Sequence, residues 1–303
     1  MEHYKKKNII ITGSNGYLGS KLSKYFSNLN YNLLCTYNKN INKRINKKNV
    51  KYIKLNLLKK IPKNKINQKF DAILHFAGPK NHRSYVNKNK NKILEGIKID
   101  QNIIKFCLEE KIKLFVYASS SAVYDLKEGI KRNKSSFKEE NVNNNTTFDG
   151  TYGFAKKSTE NYLAKIHAKK FKYISCRIFS IYGKDTKTII NDWKKKIYKG
   201  KKIQIWGNNI IRSWLHLDDF LKAIDCVLNK NKKFNNINIG SDEITSLEQI
   251  ALIIHKKLKS KKINIERIYS KYPGPKVRYA NQNKLKKLGW RQKIRLSQGI
   301  DLI

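Results

Sequence analysis

Tyr152 and Lys156 stand four residues apart in Tyr152-Gly153-Phe154-Ala155-Lys156, the spacing that puts two side chains on one face of a helix. A phenol with an ordinary pKa near ~10 is a poor base at neutral pH, but a cation beside it favours the phenolate and tunes it for proton transfer. Upstream, Tyr117-Ala118-Ser119-Ser120-Ser121-Ala122-Val123-Tyr124 reads as a strand running out into hydroxyls. A serine there can hydrogen-bond the oxygen that gains or loses the proton. A third group lies near the N-terminus: Thr12-Gly13-Ser14-Asn15-Gly16-Tyr17-Leu18-Gly19. Its glycines follow G-x-x-G-x-x-G, between the apolar Asn8–Ile11 and a helix-like Tyr17–Leu29. Gly13 permits a tight turn, Gly16 lets the backbone approach a pyrophosphate, and Gly19 lets the helix sit close on the strand. The helix N-terminus offers N–H groups and a positive dipole end to phosphates. Each piece alone has a plain reading: a glycine-rich turn, a serine loop, a chance Tyr–Lys spacing in a lysine-rich chain. The ordered set of glycine turn, serine strand end and Y-x-x-x-K helix is far more specific.

These residues need strands and helices to position them. Strand-like runs fall at Tyr31–Tyr37, Lys51–Leu55, Phe70–Phe76, Lys113–Ala118 and Tyr173–Phe179. Helix-like runs fall at Tyr17–Leu29, Ile93–Glu110 and Tyr152–Lys170. This β/α alternation predicts an α/β, Rossmann-type, doubly wound parallel sheet over residues 1–183. Beyond Gly183 the pattern breaks into shorter mixed elements, read as a smaller C-terminal region, 184–303, that covers substrate. Asp125 to Gly150 is polar and asparagine-rich and reads as a loop near the site.

At 303 residues and 40% apolar content the chain can bury a sizeable core. Cys35, Cys107, Cys176 and Cys226 are scattered, and three lie in apolar runs. They read as buried thiols in a reducing cytoplasm. No signal-like apolar core and no membrane-length apolar run appears. The formal charge of +44 comes mostly from lysines spread over nearly every segment, inflated together with Asn and Ile. That points to compositional drift and a solvated lysine surface, which would also draw in a polyanionic substrate. No stripe of basic and aromatic residues marks a specific nucleic-acid site.

With these motifs in view, the chain resembles the extended short-chain dehydrogenase/reductase superfamily, and within it the NAD-dependent epimerase/dehydratase family that acts on nucleotide sugars. Further segments resemble that family nearly end to end: Asp71–Gly78, Arg177–Gly183, Arg212–Asp219, Asn238–Gly240 with Ser246–Ile250, and Leu288-Gly289-Trp290. The resemblance implies Tyr152 as catalytic acid/base, Lys156 as its partner and holder of the nicotinamide ribose, and Ser120 as the active hydroxyl. It implies Gly13, Asn15, Gly16, Tyr17, Leu18 and Gly19 at the pyrophosphate. Tyr37, Asn38, Asn56 and Leu57 would lie towards adenosine, and Phe76, Ala77, Gly78 and Phe179 along the rest of the cofactor. Ser180, Arg212 and Arg278 would meet the substrate, Arg212 as the planar fork on a diphosphate. Asp219 reads as structural. A nucleotide-diphosphate sugar is the implied partner, a homodimer is a compatible assembly, and no metal is called for.

Departures from the pattern shape the expectation. Where NAD-binding members carry an acid after the second strand, this chain has Tyr37, with Asn38 and Lys39 next, which tips the cofactor from NAD towards NADP. The usual Asp after the third strand is Asn56, an expected Asn is Gly96, and the Asn of R-x-x-N-x-Y-G is Ser180. The late R-P-G-D reads Tyr272-Pro273-Gly274-Pro275, so its arginine is missing, and Arg278 or a lysine stands in. Sugar 4,6-dehydratases carry Asp-Glu where this chain has Ser121-Ala122, which argues against dehydration. The chemistry left open is C4 epimerisation or NADPH-dependent reduction of a 4-keto sugar. A basic Rossmann protein that binds nucleic acid is the non-enzyme alternative, disfavoured by Ser120, Tyr152 and Lys156.

Overall fold

The computed structural model describes residues 6–41, 44–62, 66, 68–79, 90–124, 136–142, 150–167, 172–230, 233–260, 262–269 and 277–303. The chain divides into two compact units. The first comprises Met1–Val123, Gly150–Cys176 and Asn231–Ile237; the second comprises Tyr124–Asp149, Arg177–Lys230 and Asn238–Ile303.

The first unit is built on β1 (Asn8–Thr12), β2 (Asn32–Tyr37), β3 (Val50–Lys54), β4 (Ala72–His75), β5 (Leu114–Ser120), β6 (Lys172–Ile178) and β10 (Asn236–Ile239). They form a seven-stranded sheet in the order β10-β6-β5-β4-β1-β2-β3, and the division between units falls within β6 and β10. The β3–β2, β2–β1, β1–β4 and β4–β5 pairs are parallel. Ile9, Ile10 and Ile11 of β1 are all buried, the continuous apolar run of a strand covered on both faces. The covering helices are α1 (Tyr17–Asn28), α2 (Lys90–Glu109) and α3 (Gly150–His167), the last two packed on each other. Ile10, Ile73 and Phe115 from the sheet meet Ile103, Phe106 and Leu163 from the helices in one core cluster. The expected α/β class, the strand set and the helix set are thus all present.

The second unit has its own core, gathered around Tyr182, Trp193, Ile205, Ile250 and Leu296. Here β9 (Ile211–His216) takes β7 (Ser180–Tyr182) and β13 (Val277–Arg278) in parallel and β11 (Ile244–Ser246) antiparallel. A separate parallel pair joins β8 (Ile203–Trp206) and β12 (Ile265–Ile268). The helices include α4 (Ile189–Tyr198), α5 (Leu217–Lys230) and α6 (Leu247–Lys257). Ser246 and Gln249 cap α6 reciprocally, which explains that segment of the sequence motif.

Most of 125–150, read as a polar loop, lies outside the described residues, as does Tyr272–Pro275. Residues 136–142 are more ordered than their composition suggests. Phe137 is buried and bridges to Ala280, and Glu139–Asn141 form a 3₁₀ turn. Among the described residues no helix is long and apolar enough to cross a membrane.

Candidate functional site

At the glycine turn, Gly13 and Gly19 are closely packed against backbone. Gly13 has φ +69°, and a Cβ there would lie 2.6 Å from the Phe76 carbonyl oxygen. At Gly19 a Cβ would lie 2.2 Å from the Gly13 carbonyl oxygen, so the first turn of α1 rests on the end of β1. Gly16 differs: it caps α1 without a side-chain bond, and a Cβ would meet only the Gly13 oxygen, at 3.1 Å. Gly13 and Gly19 therefore serve the protein's own packing, whereas Gly16 starts α1 with no side-chain cap bond. Ser14 Oγ donates to the Thr36 carbonyl (3.0 Å), and Asn15 Nδ2 to the Asn40 carbonyl (2.7 Å), tying the turn to the end of β2.

A cavity of about 360 Å³ opens from this turn. Gly13, Asn15, Gly16, Tyr37, Asn38, Asn56, Leu57, Phe76, Ala77 and Gly78, all expected at a cofactor, line it together. Tyr17, Leu18 and Gly19 lie in α1, outside that lining. Sequence reading missed Thr36, Leu55, Leu58, Pro79 and the α2 residues Lys92, Glu95 and Ile99, which also line the cavity. The last three recur at helical spacing on one face, the only signal that could have flagged them. Lys92 and Glu95 are ion-paired at 2.6 Å. A helix N-terminus without a side-chain cap, the tightly packed Gly13 and Gly19, and a cavity reaching the β2 end are the features a dinucleotide requires, so the residues present fit that group.

The residues expected to carry proton transfer, Ser120, Tyr152 and Lys156, sit in the same unit. Tyr152 and Lys156 lie one turn apart on α3, with Lys156 Nζ 6.0 Å from the Tyr152 ring centroid. Ser120 ends β5, where its Oγ accepts from Ala122 N–H (3.2 Å). The strand and its following turn, Ser121–Val123, pack directly on α3, which brings the serine strand end to the Tyr–Lys helix. Ser119 Oγ donates to Glu160 on the same helix at 2.7 Å and pins that contact.

Beneath these residues runs a buried polar chain. Thr12 Oγ1 accepts from the Phe76 and Ala77 N–H groups (both 3.2 Å) and bonds His75 Nδ1 at 2.6 Å. His75 Nε2 meets Asp100 Oδ1 at 2.9 Å. Tyr117 and Thr159 donate to Asp100 Oδ2 at 2.5 and 2.8 Å. Lys156 Nζ lies 4.6 Å over the Tyr117 ring. Burial alone would raise the Asp100 carboxyl, but the Lys156 charge, His75 and Tyr117 outweigh it and hold it below its ordinary value. Tyr117 is pushed well above the usual tyrosine range by its burial and by Asp100. His75 lay within a recognised segment, but Asp100 and Thr159 carry no local sequence signal.

In the second unit, Phe179 is buried, donates from its backbone to Ile239 (2.9 Å) and packs its ring 5.9 Å from Tyr124. Ser180 opens β7 in register with Trp214, and Arg278 is in register with Arg212 across β13 and β9. The structure thus brings both expected arginines to adjacent strands. Burial pulls the Arg278 guanidinium down to about 10, still charged at neutral pH. Trp214 Nε1, His216 Nε2 and both amide atoms of Gln282 are buried with no hydrogen-bond partner among the described residues. Asp219 is structural as expected: its Oδ2 accepts from Lys293 and Ile294 N–H (3.0 and 2.7 Å), and its carbonyl accepts from Trp290 Nε1 (3.2 Å).

A model of the NAD dependent epimerase/dehydratase family matches residues 9–240, and the chain belongs to that family. It is 28% identical to the dTDP-D-glucose 4,6-dehydratase of Dictyostelium discoideum over 82% of this chain and 61% of that protein. It is also 28% identical to the GDP-mannose 3,5-epimerase of Arabidopsis thaliana over 78% of this chain and 64% of that one. The chain therefore spans less than two thirds of either relative's length. In fold it is similar to the UDP-glucose 4-epimerase of Thermus thermophilus, solved in complex with NAD, with a TM-score of 0.83, 17% identity and 97% of each chain covered.

Proposed function

We propose that this chain is a nicotinamide-dependent nucleotide-sugar epimerase acting at C4 of the sugar, with Ser120, Tyr152 and Lys156 as its catalytic residues. One observation carries the reading. The serine-ended strand β5 packs against the helix that presents Tyr152 and Lys156, in the same unit as a glycine-turn cavity suited to a dinucleotide. Family membership and the NAD complex of the structural relative support it.

The chemistry supplied by a bound nicotinamide is reversible hydride exchange with a sugar carbon. The chain's residues handle the proton. Tyr152 takes it from the C4 hydroxyl and returns it, and Ser120 hydrogen-bonds the same oxygen. The Lys156 ammonium, one turn along, supplies the positive charge a transient phenolate needs. Gly13, Asn15 and Gly16 would hold the pyrophosphate. Tyr37, Asn38, Asn56 and Leu57 would flank the adenosine end, and Phe76, Ala77, Gly78, Lys156 and Phe179 the nicotinamide end. Arg212 and Arg278 would hold the sugar nucleotide's diphosphate, with Ser180 beside the sugar. Ser121 and Ala122 provide no acid or base for eliminating water, so dehydration is not part of the proposal. Free cysteines, with Cys107 and Cys176 pushed up to about 12 by burial, suit a reducing cytoplasm.

One observation favours a second reading, reduction of a 4-keto sugar by NADPH: Tyr37, Asn38 and Lys39 line the cavity at the β2 end with no carboxylate among them. One experiment separates the two. Cofactor released from purified protein is identified by mass spectrometry, and UDP-, dTDP-, GDP- and ADP-sugars are followed by NMR. Retained NAD with interconversion of C4 epimers and no net cofactor consumption is expected. Exchangeable NADPH consumed stoichiometrically with a 4-keto sugar establishes the reductase instead. No nicotinamide cofactor, with tight RNA binding at physiological salt, would replace both with the nucleic-acid reading.

A further inference from the structure

We propose that Asp100 is a positioning residue for the Tyr152–Lys156 pair: its buried carboxylate, acting through Tyr117 and Thr159, fixes the seat of Lys156. The inference rests on the catalytic reading of that pair given above. Asp100 is 4% exposed in a chain whose 66 Lys and Arg residues offer an acid ample company at the surface. A carboxylate is kept buried only where partners and a cation compensate it. Three side chains bond it, from three different elements: His75 from β4, Tyr117 from β5 and Thr159 from α3.

The arrangement joins both ends of the candidate site. Towards the cavity, His75 passes the contact to Thr12, whose hydroxyl holds the Phe76 and Ala77 backbone that lines it. Towards the chemistry, the Tyr117 hydroxyl donates to Asp100 while its ring lies under Lys156 Nζ, and Thr159 is three residues further along the same helix. An ammonium over a ring that is itself anchored by an anion has one favoured place. With Asp100 neutral, Lys156 loses both its long-range counter-charge and the anchor of the ring beneath it.

The test uses the purified protein and two variants, Asp100→Asn, which keeps the shape and loses the charge, and Tyr117→Phe, which keeps the ring and loses the donor. The first readout is Lys156 exposure to trace reductive methylation, quantified by mass spectrometry against the exposed Lys199 as internal standard. Lys156 labelling is expected to rise about threefold or more in Asp100→Asn, and less in Tyr117→Phe. The second is a steady-state split: kcat should fall about tenfold or more with KM within about twofold. Circular dichroism confirms that each variant folds, and if Asp100→Asn does not, Tyr117→Phe carries the test. Parent-like Lys156 labelling in the folded variants overturns the proposal, as does raised labelling with kcat intact. If the parent turns over no nucleotide sugar, the catalytic reading fails, yet the labelling still decides whether Asp100 seats Lys156.

Discussion

Each unit buries a carboxylate in a polar cluster, and the two respond in opposite directions. Asp100 in the first unit is 4% exposed and Glu139 in the second is 6% exposed. Burial pushes both upward. For Glu139 it prevails: an Asn238 N–H at 2.9 Å and Lys284 at 3.9 Å do not restore the ordinary value, and the carboxyl ends above it. For Asp100 burial is outweighed by Lys156, His75 and Tyr117, and the carboxyl ends below its ordinary value. Depth of burial thus does not decide which way a carboxyl shifts; the cation and donors facing it do. Around Glu139 the partners are scaffold. Arg177 donates to the Glu139 carbonyl (2.7 Å), and Tyr124 donates to Asn238 (2.6 Å). Around Asp100 they include the lysine of the candidate catalytic pair.

Lys156→Met should break the contrast with the largest effect. Without its cation Asp100 should behave as Glu139 does, with its carboxyl rising, and turnover should fall by about 10²-fold or more. Carboxyl-resolved NMR titration of Asp100 and steady-state kinetics check the two halves; a variant with parent turnover would separate Lys156 from the chemistry. Next in size is Gly16→Val. It should weaken cofactor binding by about tenfold or more, roughly 1.4 kcal/mol, with at most a modest fall in melting temperature, because the added carbon meets the Gly13 oxygen at 3.1 Å. Gly13→Val, forced to φ +69° against the Phe76 backbone, should fail to fold stably. Calorimetry with NAD and NADP, alongside thermal melts, reads both.

The smallest effects concern pH and stability. The folded Asp100 lies below its ordinary 3.8, so its contribution is complete above that value and is lost as pH falls through the lower folded one. Glu139 has the opposite sign. Its folded value lies above 4.5, so its contribution is complete below 4.5 and lost as pH rises through the folded value. Glu139→Gln should therefore leave stability at pH 7 unchanged or higher by up to about 1 kcal/mol, with turnover unaffected. Asp100→Asn should flatten the acid limb of the stability curve. Urea melts between pH 3 and 7 check both signs, and matching slopes for the two variants would erase the comparison.

How much was legible in the sequence follows from how local each signal is. The glycine turn, the serine strand end and the Tyr–Lys pair are contiguous motifs, and the strands between them are apolar runs that periodicity finds. Helix α3 starts at Gly150, two residues before the expected Tyr152, because helix ends carry the weakest signal. The buried chain from Thr12 through His75, Asp100 and Tyr117 to Thr159 was not legible. Its members are spread over nearly 150 residues of sequence and meet only because parallel strands and two packed helices bring them together. Asp219, Asn238 and Trp290 were visible as motif letters, while their bonding to the Lys293–Ile294 backbone, Phe137 and the Asp219 carbonyl needed coordinates.

The most direct test of the account is NMR of a UDP-sugar incubated with the cofactor-loaded protein, beside Tyr152→Phe carrying the same bound cofactor. The parent should interconvert the C4 epimers without net cofactor consumption. Tyr152→Phe, which keeps the ring and loses the transferable proton, should retain the cofactor and slow by about 10²–10⁴-fold. Parent-like epimerisation by Tyr152→Phe would contradict the assignment of Tyr152 as the residue that moves the proton at C4.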